Sequence, residues 1–188
     1  MFNILNMLEQ YAIVKAIEKL TSLPNRSFSV REFAKFSKIS PAMASKALEY
    51  MNKGGIATLK KVGKTYQYRA NIASPLCRQW KILFNIEKIE KAGIVQNIIQ
   101  KIPNIHSILL YGSMARGTND EKSDYDVLVI AHARMKINYD FLGKLPGEAN
   151  FTLMGIEDWK KKARNDKVFY ENVIYDSIVL YGERPVVL

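Results

Sequence analysis

Two carboxylates two residues apart, Asp124 and Asp126, close a fifteen-residue stretch that opens on Gly112-Ser113. The full run, residues 112–126, reads Gly-Ser-Met-Ala-Arg-Gly-Thr-Asn-Asp-Glu-Lys-Ser-Asp-Tyr-Asp. Apolar runs at residues 108–111 and 127–131 flank it and are expected as strands. Side chains alternate across a strand, so Asp124 and Asp126 point the same way, about 6–7 Å apart along the backbone. Two carboxylates so placed can share a hard cation such as Mg²⁺, which takes oxygen ligands and leaves room for phosphate oxygens. Gly112-Ser113 ends one strand and opens what reads as a helix, where exposed N–H groups suit a phosphate. A phosphate cradle facing a carboxylate pair is apparatus for phosphoryl or nucleotidyl transfer.

The pattern resembles the nucleotidyltransferase superfamily that includes DNA polymerase β, and more narrowly the minimal nucleotidyltransferases of archaea and bacteria. Eight positions carry the resemblance: Gly112, Ser113, Ala115, Arg116, Gly117, Ser123, Asp124 and Asp126, followed by Val127-Leu128-Val129. It implies that Asp124 and Asp126 hold Mg²⁺ bridging to a nucleoside triphosphate. Gly112 and Ser113 would bind its β- and γ-phosphates, and Ser123 is expected among the nucleotide-binding residues. Arg116 would either neutralise phosphate or brace the turn, and the residues do not choose between these roles.

One departure matters. Family members carry a third carboxylate on a following strand, as a metal ligand and base. That strand is expected at residues 150–154, before a helix at 157–164, and spacing to the helix puts the third position on Thr152. One strand face presents Glu148, Asn150, Thr152 and Met154. Thr and Asn are at best neutral oxygen ligands, and neither is a competent base at neutral pH. Glu148 has the right parity but lies four residues from Thr152, roughly 13 Å away. Nucleotide and metal binding are therefore expected ahead of fast turnover. Transfer would be slow, dependent on a partner-supplied group, or lost.

Upstream of the motif, residues 3–21 have helical spacing, with Leu5, Leu8, Ala12, Ile13, Ile17 and Leu20 near one face. Ser29 is placed to cap a short helix at residues 30–36. Ser40-Pro41 is a strong helix start, an N-cap serine with proline at the first helical position. That helix runs to about residue 52 with Ala44, Ala47, Leu48 and Met51 inward, and Gly54-Gly55 ends it. Strand-like runs at 56–60 and 65–70 then form a hairpin with a basic tip at 61–64. Residues 29–71 resemble the winged-helix repressors of archaea and bacteria. The resemblance implies that the helix from Pro41 enters a DNA major groove. Of its outward residues Ala42, Met43, Ser45, Lys46 and Glu49, the best contacts are Ser45 and Lys46. Lys60, Lys61 and Lys64 on the wing would meet phosphate or the minor groove. Tyr66 and Tyr68 are expected to pack on the hairpin rather than stack on bases.

Charge follows this division. The chain has a net charge of +10, of which residues 1–72 hold +8 and residues 73–188 only +2. Such asymmetry points to double-stranded DNA as partner of the first part, although protein contact would also use a winged helix. The fold expected is α+β. A winged helix-turn-helix spans 1–72, a linker of one helix or two, breaking at Gly93, spans 73–101, and a nucleotidyltransferase domain with a mixed sheet spans 102–188. The linker's wide apolar stripe suits either core packing or a homodimer interface. The C-terminal domain would have strands near 105–111, 127–132, 150–154 and 173–182. Lys160-Lys161-Lys162 with Arg164 is expected to be a solvated helix face.

No apolar run approaches the length of a membrane span, and residues 1–20 lack a signal-peptide profile. The lone Cys77 excludes an internal disulfide framework, fits a reducing cytoplasm, and is expected as a small buried apolar residue. His106 and His132 have no zinc-ligand spacing. The basic balance and the resemblances fit a prokaryotic cytoplasmic protein. Three functions remain open: a Mg²⁺-dependent enzyme moving a nucleoside monophosphate to an acceptor such as a partner protein; a nucleotide-sensing DNA-binding regulator without turnover; and an antitoxin-like module that acts by contact.

Overall fold

The computed structural model describes residues 12–132 and 147–187. The chain folds as two compact units that divide between Phe84 and Asn85. In the first unit, α1 (Ala12–Ser22) buries Ala16, Ile17, Leu20 and Thr21, whereas Ala12 is exposed. The expected start of this helix, including Leu5 and Leu8, lies outside the described residues.

α2 (Val30–Ser37) starts where Ser29 predicts. The Ser29 hydroxyl accepts from Glu32 N–H, and the Glu32 carboxylate accepts from Ser29 N–H at 2.7 Å, a reciprocal capping box. α3 (Pro41–Lys53) is capped by the Ser40 hydroxyl, which accepts from Met43 N–H at 3.2 Å. Its Ala44, Ala47, Leu48 and Met51 are completely buried. The hairpin is β1 (Ala57–Val62) against β2 (Thr65–Ala70), antiparallel. Gly63 has a φ of 58° at the first position of its two-residue turn, the backbone that a tight primed turn requires. Phe28 adds a short rung, its N–H and carbonyl both bonded to Tyr68 at 2.8 Å. Three helices and this sheet make a winged helix-turn-helix. α4 (Pro75–Lys91) contributes Cys77, Trp80 and Phe84 to the same core. Cys77 is fully buried, and burial pushes its thiol up, which suits a packing residue rather than a nucleophile.

The second unit opens on the end of α4 and α5 (Ile94–Lys101); Gly93, at a φ of 68°, separates the two helices. Then come β3 (Ile105–Tyr111), α6 (Gly112–Arg116), β4 (Tyr125–Ala131), β5 (Ala149–Gly155), α7 (Ile156–Asn165), α8 (Lys167–Asp176) and β6 (Ile178–Gly182). The sheet order is β5-β4-β3-β6, with β4 and β5 parallel and the other pairs antiparallel, so the sheet is mixed as expected. Ile108, Leu110, Val127 and Val129 pack on Ile89, Ile94 and Ile98 on one face. Leu109, Leu128 and Ile130 pack on Trp159 and Val173 on the other. With both faces covered, β3 and β4 are apolar nearly end to end, which is why they read clearly in the sequence.

The expected strand at 173–182 is half wrong. Residues up to Asp176 belong to α8, and only Ile178–Gly182 is strand. The Asp166 carboxylate caps α8 by accepting from Phe169 N–H at 3.1 Å. Phe169, Tyr170, Val173 and Ile174 all pack into the core beneath the sheet, a helical repeat hidden inside a β-branched run. Among the described residues no helix is long and apolar enough to cross a membrane.

Candidate functional site

The sheet brings three residues from three strands into one row: Tyr111 opposite Asp126, and Asp126 opposite Asn150. β4 holds Asp126 firmly because every residue from Val127 to Ala131 is buried. Beside it the chain turns sharply out of β3 at Gly112, whose φ is 73°. A Cβ built on Gly112 would stand 2.4 Å from Asp126 Oδ2. Only glycine lets the backbone run this close to the carboxylate. Gly112 and Asp126 are thus in direct contact, and Ser113 follows half-buried at the start of α6.

Asp124 and Asp126 converge. The Asn150 amide nitrogen donates to Asp124 Oδ2 at 3.3 Å and to Asp126 Oδ1 at 3.2 Å. One electropositive group therefore already stands where both carboxylates point, a position that a cation would suit. Asn150, not Thr152, is the β5 residue that meets the pair. The parallel register sets Thr152 against Leu128, two residues further in. Burial raises the Tyr111 pKa, and the negative charge of Asp126 adds to that, while the nearby Thr152 hydroxyl works the other way. Glu148 is exposed, and its carbonyl accepts from Tyr125 N–H. Among the described residues no cluster of three or more His, Cys, Asp or Glu is placed to hold a metal.

The other motif residues shape the turn. Arg116 lies 3.5 Å from Asp176 of α8 in a half-exposed ion pair, a bracing contact. Ser123 closes a turn on Asp120: its hydroxyl accepts from Asp120 N–H at 2.9 Å and donates to the Asp120 carboxylate. The loop is pinned from beneath by Asn85, whose buried amide donates to Met114 O at 2.9 Å and Asn119 Oδ1 at 3.1 Å. Asn85, Tyr111, Asn150 and Asp176 were not legible as site residues. Of these only Asn150 left a signal, its parity with Thr152 on one strand face.

In the first unit Lys46 is exposed on α3, whereas the Ser45 hydroxyl donates to Glu49 at 3.2 Å. Lys60 pairs with Gln67 and Lys61 with Tyr66, so alternation sends these two lysines to opposite faces of the hairpin. Lys64 sits at the tip. Tyr68 is buried as expected, but Tyr66 is 56% exposed because the hairpin extends past the core that covers Tyr68.

Residues 94–185 match the family model described as polymerase beta, nucleotidyltransferase. No curated protein matches the chain. Among solved structures, a candidate nucleotidyltransferase from Sulfolobus solfataricus is similar at 17% identity and a TM-score of 0.37, over 55% of this chain and 88% of its own. TrmBL2, an archaeal chromatin protein whose structure is described as showing a novel mode of DNA binding, is similar at 15% identity and a TM-score of 0.31, over 87% of this chain and 71% of its own. The family match encloses the glycine turn at Gly112, the carboxylate pair and the β5 strand that meets it, and residues 94–185 are a nucleotidyltransferase domain of the polymerase β family.

Proposed function

We propose that the C-terminal domain binds a Mg²⁺–nucleoside triphosphate and transfers its nucleoside monophosphate to an acceptor hydroxyl, releasing pyrophosphate. The observation that carries this reading is the convergence of Asp124 and Asp126 on a single amide nitrogen beside the Gly112 turn. Asp124 and Asp126 would hold the metal: both are hard oxygen donors, and a polar hydrogen-bond donor already occupies the point they share. When bound, Mg²⁺ polarises the α-phosphoryl group and offsets the charge of the leaving pyrophosphate. Gly112 lets backbone approach the phosphates, and Ser113 offers a hydroxyl and an N–H to them. Arg116 braces α6 against α8 through Asp176. Neither Asn150, which meets the carboxylate pair, nor Thr152 can accept the acceptor's proton at neutral pH, so this step is expected to be slow.

The test is calorimetric titration of ATP, GTP, CTP and UTP with Mg²⁺ into the wild type and the Asp124→Ala/Asp126→Ala variant. Metal-dependent binding that the double variant loses is the expected result. Failure of all four nucleotides to bind the wild type would end this reading.

A second function is supported by the charge of +8 on residues 1–72 and by exposed Lys46 and Lys64. In it the winged helix binds double-stranded DNA, and nucleotide bound in the second unit changes that affinity. It predicts that Lys46→Ala weakens DNA binding, whereas Asp126→Ala removes only the nucleotide response.

A further inference from the structure

We propose that Asn150 is the third, neutral ligand of the divalent cation held by Asp124 and Asp126, in place of the carboxylate that Thr152 does not provide. The inference rests on the reading that this pair binds a divalent cation.

Three observations carry it. The register of β4 and β5 sets Asn150 directly beside Asp126. One nitrogen of its amide reaches both carboxylates, at 3.3 and 3.2 Å, so the end of this side chain lies at the point where they converge. Thr152, the alternative on the same face, lies one rung further in, beside Leu128 rather than Asp126. The amide carries its oxygen opposite its nitrogen on one terminal torsion, which is broad and roughly two-fold. A half-turn about that bond exchanges the N–H donor for the Oδ1 acceptor. The same residue thus answers both states of the site: N–H toward bare carboxylates, and oxygen toward a cation between them. An amide oxygen is a hard neutral donor of the kind Mg²⁺ and its relatives accept.

Charge sets the consequence. Two carboxylates and an amide present −2, which one divalent ion balances, whereas three carboxylates present −3. Affinity for hard cations rises with the number of charged ligands. The site should therefore hold a bare divalent ion weakly and gain affinity when Asn150 becomes a carboxylate. If Asn150 were only a clasp that relieves repulsion in the bare pair, it would compete with the cation, and removing it would tighten binding. The two roles differ in sign.

The experiment titrates Mn²⁺ alone and Mg²⁺ alone into the full chain, by calorimetry and by loss of the free Mn²⁺ paramagnetic resonance signal. It uses wild type, Asn150→Ala, Asn150→Asp and Asp124→Ala/Asp126→Ala, each checked for an unchanged thermal midpoint. Asn150→Ala should weaken Mn²⁺ binding about tenfold and Asn150→Asp should tighten it about tenfold. Unchanged or tighter binding by Asn150→Ala overturns the proposal while leaving the carboxylate site standing. Unchanged affinity in Asn150→Asp overturns it equally, should the alanine variant fold poorly. Wild type indistinguishable from the double alanine variant would remove the cation site itself, and Asn150's role with it.

Discussion

Replacing Gly112 by alanine separates the backbone of the turn from the chemistry of the pair. The added Cβ would lie 2.4 Å from Asp126 Oδ2 but 3.4 Å from Cγ and 3.6 Å from Cβ of the same side chain. Only the carboxylate oxygen is in serious overlap, and it can swing away by roughly 1 Å about the last torsion. The steric part of the change is thus small for folding and large for the site, since the displaced oxygen is a proposed ligand. The backbone part is separate: alanine at a φ of 73° costs about 1–2 kcal/mol. In a unit of this size that lowers the melting temperature by about 4–16 °C. Gly63→Ala is the control, because its φ of 58° imposes the same class of strain while nothing lies within 4 Å of the new Cβ. Scanning calorimetry and nucleotide titration together give the answer. Both variants should lose comparable stability, but only Gly112→Ala should lose Mg²⁺–nucleotide affinity, by at least about tenfold. Binding by Gly112→Ala within about twofold of wild type would refute the argument that this glycine exists to admit Asp126.

Burial pushes the Tyr125 phenol up to about 12 from its ordinary value near 10, so the folded state keeps a proton that the unfolded state releases. Stability from this group is complete below pH 10 and falls by about 2–3 kcal/mol as pH rises from 10 to 12. Urea unfolding at pH 9 and pH 11.5 should show a smaller loss in Tyr125→Phe than in wild type, and an equal loss would refute the assignment. On DNA, Lys46→Ala should lower affinity and reduce the salt slope by about one, read by fluorescence anisotropy across salt concentrations. Of Lys60→Ala and Lys61→Ala only one should do so, since these side chains leave opposite faces of the hairpin.

What could be read in advance was whatever depends on neighbours along the chain. Ser29 with Glu32, and Ser40 with Pro41, start helices by local hydrogen bonds and a preset φ, and both helices begin where those residues say. The buried stripe of α3 follows from period, and β3 from its continuous apolar run. α8 fails the same method for an identifiable reason. Val173 and Ile174 are β-branched and sit next to a true strand, so local propensity favours extending that strand backward. The Asp166 cap and the burial of Phe169 and Val173 against β3 and α7 outweigh that preference. Such contacts come from elements that propensity does not see.

The third partner of the carboxylate pair was unreadable for a different reason. Parity on β5 correctly selected Glu148, Asn150 and Thr152 as one face, but parity repeats every two residues, about 6.6 Å. That step decides whether a side chain touches Asp126 or misses it, and it is fixed by which residue of β5 lies beside which residue of β4. A parallel pair is joined by a long crossover rather than a tight turn, so no turn residues announce its register. The register that sets Asp126 beside Asn150 is seen only in the paired strands, where Phe151, Thr152 and Leu153 of β5 lie beside Val127, Leu128 and Val129 of β4. Spacing to the following helix located the strand and then chose the wrong rung. The family motif therefore points to the chemistry proposed for residues 112–126, while the third ligand proposed for the site follows from the pairing of the sheet, and Asn150→Asp is the substitution on which the two can be told apart.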